Sequence, residues 1–413
     1  MTTFALLSIL VTAGALFSVL SFRVLRLPTT IGTMMLAMGA AAGLIVVGQW
    51  APGLRGAAER VVSGIDFNAV VLHGMLALLL FAGALQLDLE HLAKQKLPVL
   101  VLSVVTTALS TVFVAGLFYE AMRWIHLPVS GMGALLFGAL ISPTDPIAVL
   151  DMLRRAGAPP ALEVQLAGES LFNDGVGAVI FLALLGASGG GRHLSASVFG
   201  SLLLLKAGGG IALGVGLGYV TYRLLRLVDS YRVEVMLTLA LAMGGYALAD
   251  ALNLSAPLEV VAAGLLVSGR ARSLAMSELT REHVDRFWEL VDDLMNVVLF
   301  LLLGLEILVL PFTWGHVLAG LVAIPVVLAA RFASVGLSAG GLALFRKHVP
   351  RSIVVLSWGG LRGGLAVALA LGLPSGLGLE RNLLLVVTFV VVVFSILVQG
   401  LTLSRLLRRM HMA

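Results

Sequence analysis

The stretch GESLFNDGVGAVIF, residues 168–181, carries Glu169, Ser170, Asn173 and Asp174 in an otherwise apolar run. On a helix, Ser170 and Asp174 are four apart and share one face, and Glu169 and Asn173 share a neighbouring face. The run therefore offers two polar stripes with different work to do. Asp174 and Ser170 supply hard oxygens, which suit a small cation. A second stretch, ISPTDPIAVL at 141–150, adds Asp145 and Thr144 between Pro143 and Pro146. Proline removes a backbone donor and clashes with the preceding turn, so a helix here should break near Thr144 and leave a carbonyl free. Desolvation and a neighbouring like charge both favour the protonated form of a carboxyl group. A carboxylate in such a place can trade a proton for a cation.

A third stretch, SWGGLRGGLAVALA at 357–370, surrounds Arg362 with Gly359, Gly360, Gly363 and Gly364. Each glycine weakens a helix by about 1 kcal/mol relative to alanine. Arg331 falls in the middle of another apolar run, VLAARFASVG. A guanidinium cannot shed its proton, so it requires a partner, and Glu169 is the natural one for a structural ion pair.

These residues must be held by helices in a membrane. Of 413 residues, 59% are hydrophobic and 12% charged, and mean hydropathy is +1.05. Soluble domains do not look like this; the composition is that of a polytopic helical membrane protein. Breaks at charged or Pro/Gly-rich sites suggest thirteen spans, near 4–22, 28–49, 68–89, 97–120, 130–151, 161–187, 195–222, 233–252, 257–269, 287–310, 315–345, 352–372 and 382–403. The first has no positive residue before it and is followed by Arg23 and Arg26, which argues for a retained helix rather than a cleaved signal peptide. Nineteen Lys and Arg fall in loops after odd-numbered spans and in the C-terminal tail, against five after even-numbered spans. That bias predicts an N-terminus outside and a C-terminus in the cytoplasm. It also accounts for the net charge of +5 without a nucleic-acid partner. The chain has no cysteine, which excludes disulfides and thiolate metal sites, and no run of residues is left for a soluble domain. Asp145, Glu169, Asp174, Lys206, Arg331 and Arg362 lie inside spans. Each costs roughly 2.5–3.5 kcal/mol at the bilayer centre, so each needs a partner or a function.

Spans five and twelve, both interrupted, lie seven helices apart and so cross in opposite directions. This is the expected signature of an inverted repeat, spans two to six matching nine to thirteen, with the ion site at the crossing of the broken helices near the midplane.

Taken together, GESLFNDGVGAVIF, ISPTDPIAVL, SWGGLRGGLAVALAL and LFLLLGLEI resemble the sodium/proton antiporters of the NhaP and NHE kind, over essentially the whole membrane domain. The Asn173–Asp174 pair is similar to the electroneutral branch, where electrogenic relatives carry two adjacent aspartates. The resemblance implies a thirteen-helix homodimer with a dimer domain and a moving core domain, exchanging Na⁺, or Li⁺ or K⁺, for H⁺ without a cofactor. It implies ion ligands at Asp174, Ser170, Thr144 and Asp145, an orienting role for Asn173, and Glu169–Arg331 as a bridge. One departure stands out: many relatives have a glutamate in span three, where this chain has Ala82, so an outer ligand is missing. A long cytoplasmic tail like that of the animal branch is not expected, nor regulation through one. A bacterial inner membrane, or a plasma membrane more generally, is the expected location.

Other polar residues read more plainly. Lys206 should snorkel or face a water-filled crevice, and the glycines around it should pack helices closely. His73 is expected to be a hydrogen-bonded interior histidine, and Glu259 and Glu306 to be wetted near span ends. Residues 281–293, REHVDRFWELVDD, space their charges as on an interfacial amphipathic helix. Two other classes of function compete. An intramembrane aspartyl protease needs two membrane aspartates, which Asp145 and Asp174 supply, but Asp174 sits in Asn-Asp-Gly-Val, not Gly-x-Gly-Asp. A cation channel is compatible with broken helices, but nothing resembles a repeated selectivity filter.

Overall fold

A chain in hydrocarbon must satisfy its own backbone, and helices do so within one segment. The computed structural model describes residues 3–155, 157, 159–189, 196–269, 275–343 and 350–409. Arg192, Arg270, Arg272, Arg346 and Lys347, which enter the charge bias, lie outside them. The described residues form helices and short connections, with one isolated antiparallel bridge, Asp145 to Leu361.

Among the described residues, nine helices are long and apolar enough to cross a membrane. They correspond to expected spans one to four, six to eight, eleven and thirteen. The other four expected spans fall short for identifiable reasons. Span five is two helices, Gly131–Ile141 and Ile147–Arg155, separated by the Pro143–Pro146 segment. Span twelve is likewise two, Pro350–Gly359 and Gly364–Leu371, separated by Gly360–Gly363. Span nine, Ala256–Ser268, has only thirteen residues. Span ten belongs to a 28-residue helix, Glu278–Leu305, whose first half is charged. The expected interfacial helix over 281–293 is thus continuous with span ten. Its Trp288 is buried and donates to Thr238 Oγ1 at 3.0 Å.

Helices start where a side chain can take up orphan amides. Ser130 Oγ accepts from Gly133 N at 2.9 Å, Ser255 Oγ from Leu258 N, and Ser277 Oγ from Thr280 N. Small residues then let helices approach. Gly210, Gly214 and Gly218 recur every fourth residue on helix Ala196–Leu225 and face the carbonyls of Ser255, Glu259 and Ala263. This is the small-residue packing that spacing suggested. Lys206, partly exposed, sits at the same seam, its carbonyl accepting from Ser255 N at 3.0 Å.

Three of the plainer expectations are corrected. Glu259 and Glu306 are buried, at 0% and 7% exposure. Glu259 lies one turn into helix Ala256–Ser268, and its carboxylate fills the space a side chain on Gly245 would take. His73 is not interior: its Nε2 is 3.9 Å from Asp250 Oδ2, and both side chains are more than half exposed.

Candidate functional site

The segment between helices Gly131–Ile141 and Ile147–Arg155 passes the segment between Pro350–Gly359 and Gly364–Leu371, joined where Asp145 N donates to Leu361 O at 2.7 Å. Proline chemistry explains what surrounds this contact. The Ser142 carbonyl would normally accept from residue 146, but Pro146 has no N–H. Arg362 Nη1 supplies the missing donor, bonding to Ser142 O and, at 3.0 Å, to Pro143 O. A cation there also suits the C-terminal end of helix Gly131–Ile141. Arg362 is itself fixed by its own amide, which donates to Ser395 Oγ at 2.9 Å. Ser395 opens a π-helical turn, Ser395–Gln399, an irregularity that recurs at functional positions.

Helix Pro160–Gly189 contributes both polar stripes. The two stripes share one partner. From the Glu169–Asn173 stripe, Asn173 clamps Thr144 twice: Oδ1 accepts from Thr144 N at 3.2 Å and Nδ2 donates to Thr144 Oγ1 at 2.8 Å. From the Ser170–Asp174 stripe, Ser170 Oγ donates to the Thr144 carbonyl. Three atoms of the interrupted segment are thereby held by one helix, and Asn173, Ser170 and Thr144 are all buried. On the same stripe as Asn173, Glu169 Oε1 lies 2.6 Å from Arg331 Nη2, the two side chains 1% and 2% exposed. Arg331 also donates to Leu356 O at 3.1 Å.

Two glycines are required by these approaches. A side chain on Gly363 would strike the Asp145 carboxylate, and one on Gly360 would put its Cβ 2.7 Å from Arg331 Nη2. Gly359 is less crowded: a Cβ there would meet Val149 Cγ1 at 3.3 Å, a tight contact that a shift of a few tenths of an ångström in that side chain relieves.

Asp145, Asp174, Ser170, Thr144 and Pro146 line a single cavity of about 1040 Å³. Its mouth is set by Arg26, Asp88, Arg154 and Glu163, at the ends of their helices; the side chains of Asp88 and Arg154 are more than half exposed, and Arg154 pairs with Glu163 at 3.5 Å. His91 Nδ1, 2.6 Å from Asp88 Oδ2, holds the Asp88 carboxyl below the usual range, with the backbone amides of His91 and Glu90 assisting. The mouth therefore keeps an anion at mildly acid pH. Sequence reasoning missed one wall. Glu289, Asp292, Asp293 and Asn296 of helix Glu278–Leu305 also line the cavity, and Asn296 Nδ2 donates to Asp292 Oδ1 at 3.2 Å. Their spacing of three and four was a legible signal of one helix face. Ala82 is fully buried and does not line the cavity; Leu79, Leu80, Gly83 and Gln86 of the same helix do. Among the described residues, no group of three or more His, Asp or Glu side chains gathers as a resident metal centre would need.

A polar cavity driven from one face into a bundle of membrane-crossing helices, ending at carboxylates beside two interrupted segments, defines a multi-pass membrane transporter rather than an enzyme. Residues 7–409 match the family described as sodium/hydrogen exchanger, transmembrane, and the chain belongs to that family. It is 44% identical to the Na(+)/H(+) antiporter NhaP of Pseudomonas aeruginosa over 403 residues, 96% of this chain and 94% of that one. It is 35% identical to the Na(+)/H(+) antiporter NhaH of Halobacillus dabanensis, covering 86% and 87% of the two chains. The fold is similar to that of the sodium proton antiporter MjNhaP1 from Methanocaldococcus jannaschii, with a TM-score of 0.75 at 21% identity, over 98% of this chain and 97% of that chain.

Proposed function

We propose that this protein exchanges Na⁺ for H⁺, one for one and without net charge movement, Li⁺ or K⁺ being possible substitutes. Asp174 carries the proton or the cation but not both. Ser170, Asp145 and the Thr144 carbonyl and hydroxyl replace the water a bare cation gives up. Asn173 keeps Thr144 in position, and Glu169–Arg331 is a structural bridge rather than a ligand pair. The observation that carries the reading is the convergence of Asp174, Ser170, Thr144 and Asp145 on the inner part of one cavity. Membership of the sodium/hydrogen exchanger family supports the choice of ions.

In the same reading the chain crosses the membrane thirteen times, N-terminus outside and C-terminus inside. The cavity then opens to the cytoplasm, since its mouth carries Arg26 and Arg154 from the positive loops. Spans two to six and nine to thirteen are inverted repeats whose broken fifth and twelfth members, with Pro146, Gly359, Gly360, Arg362 and Gly363, cross at the midplane. Alternating access moves a core domain against a dimer domain in a homodimer.

The test is exchange in acid-loaded proteoliposomes, following the collapse of ΔpH on adding Na⁺, Li⁺ or K⁺. Asp174→Asn should abolish exchange while the protein remains folded. A purified Asp174→Asn protein that still responds to Na⁺ would overturn the assignment of the proton carrier. Exchange driven by an imposed membrane potential would overturn the stoichiometry.

A further inference from the structure

The cavity has a floor. Val71, Leu365 and Ala366 also line the cavity, Val71 lying near the opposite end of helix Phe67–Gln86 from the mouth residue Asp88. Val71 and Ala366 are each 2% exposed. Val71 lies on the membrane-crossing helix Phe67–Gln86, and Leu365 and Ala366 on the helix Gly364–Leu371 that follows the second interruption. These two elements pack directly together. Less than one turn beyond Val71, and two residues beyond Ala366, Asn68 Nδ2 donates to the Ala368 carbonyl at 2.7 Å. Gly372 caps that helix, and a Cβ on it would sit 2.5 Å from Asn68 Nδ2 and 3.3 Å from Cγ. Only a glycine leaves room for the amide to reach Ala368.

Apolar surfaces in lipid gain nothing from water exclusion between helices, so contact there is set by packing and by hydrogen bonds. The floor itself is apolar, and the polar contact joining its two halves is the one immediately behind it. That carbonyl already accepts from Gly372 N at 3.1 Å, so Asn68 adds a second donor without being needed to satisfy the helix. A bond that is dispensable to the helix yet spans two elements is suited to being made and broken.

We propose that Asn68, seated against Gly372 and bonded to Ala368, is a latch that seals the side of the site opposite the cavity mouth. It opens each time the site turns to that side. The inference rests on the alternating-access reading above. It also names a specific separation: helix Phe67–Gln86 must part from helix Gly364–Leu371 at this point. Removing the latch should raise exposure of the floor to the far side roughly two- to twelve-fold, the range one net hydrogen bond supports.

The chain contains no cysteine, so introduced thiols report without background. A Cβ on Gly372 would lie 3.3 Å from Asn68 Cγ, itself one bond of about 1.5 Å from Asn68 Cβ. The Asn68→Cys, Gly372→Cys pair therefore holds its Cβ atoms no more than about 4.8 Å apart, close to the separation of about 3.5–4.5 Å that a disulfide spans. Oxidation in proteoliposomes should cross-link the pair and stop Na⁺-driven proton movement, and reduction should restore it. A cross-linked pair that exchanges at the reduced rate, or a folded pair that does not cross-link, overturns the latch. If the reduced pair and the parent both fail to exchange, it is the antiport reading that falls. Should the double variant not fold, a Val71→Cys reporter replaces it, exposed to an impermeant maleimide added only on the side opposite the mouth. Adding Asn68→Leu should speed its labelling two-fold or more; an unchanged rate overturns the proposal.

Discussion

Breaking the Glu169–Arg331 pair is the most quantitative test of the architecture. Arg331→Met removes the cation and keeps the apolar stem, leaving a carboxylate that is 1% exposed with its near charge gone. Loss of one member of a buried pair destabilises by about 3–5 kcal/mol, a large part of a total on the order of 5–15 kcal/mol. Glu169→Gln should fall at the lower end of that range, because Arg331 retains the Leu356 carbonyl at 3.1 Å. With both charges removed, in Glu169→Gln, Arg331→Met, no buried charge is stranded, and the loss should shrink to about 1–2 kcal/mol. The pairwise coupling is then at least about 4 kcal/mol, well above the scatter of independent sites. Reversible SDS titration of the purified protein, read by tryptophan fluorescence, measures all four corners of the cycle, and thermal melts in detergent give the same ranking. Single variants within about 1 kcal/mol of the parent, or a double variant as unstable as the sum of the singles, would refute a structural bridge.

Other outcomes follow from the same geometry. If proton and Na⁺ compete for one site, the apparent KM for Na⁺ should rise about tenfold per unit fall in pH on the acid limb, and activity should be bell-shaped in pH; a KM independent of pH refutes competition. Asn173→Ala removes two bonds to Thr144 and should cost about 1–3 kcal/mol in stability. It should also weaken cation affinity more than it slows proton-limited turnover, which steady-state exchange at saturating and limiting Na⁺ separates. Gly363→Ala drives a methyl group into the Asp145 carboxylate and should lower exchange at least tenfold with the fold intact by circular dichroism. Gly359→Ala, which meets only the Val149 methyl at 3.3 Å, should lower exchange far less than Gly363→Ala in the same assay.

Much of this molecule was legible from composition and motif. Long apolar runs can only be helices in a bilayer, so the nine helices that, among the described residues, are long and apolar enough to cross a membrane coincide with runs marked out by hydropathy alone. The stripes of helix Pro160–Gly189 follow from its 3.6-residue period, and Pro143, Pro146 and the Gly359–Gly364 cluster mark where backbone cannot continue regularly. Glu169 is legible as the partner of Arg331 because a guanidinium within a span cannot shed its proton and must be paired. Other features depended on elements distant in the chain. Nothing local says that Arg362 donates to carbonyls some 220 residues away, or that Ser395 receives its amide. The acidic wall at Asp292 and Asp293 looked like an interfacial face because its periodicity is the same whether it meets water outside or a cavity within. Ala82 drew attention as a missing ligand, but rotation of its helix turns Gly83 and Gln86 to the cavity instead. Glu259 seemed wetted because it lies near a span end, and packing against Gly214 and Gly245 buries it. Sequence determines which segments enter the membrane and which side chains cannot stay there unpaired, because those are transfer energies of individual residues. The identity of each partner is a matter of how helices are rotated and packed, and only the tertiary structure decides that.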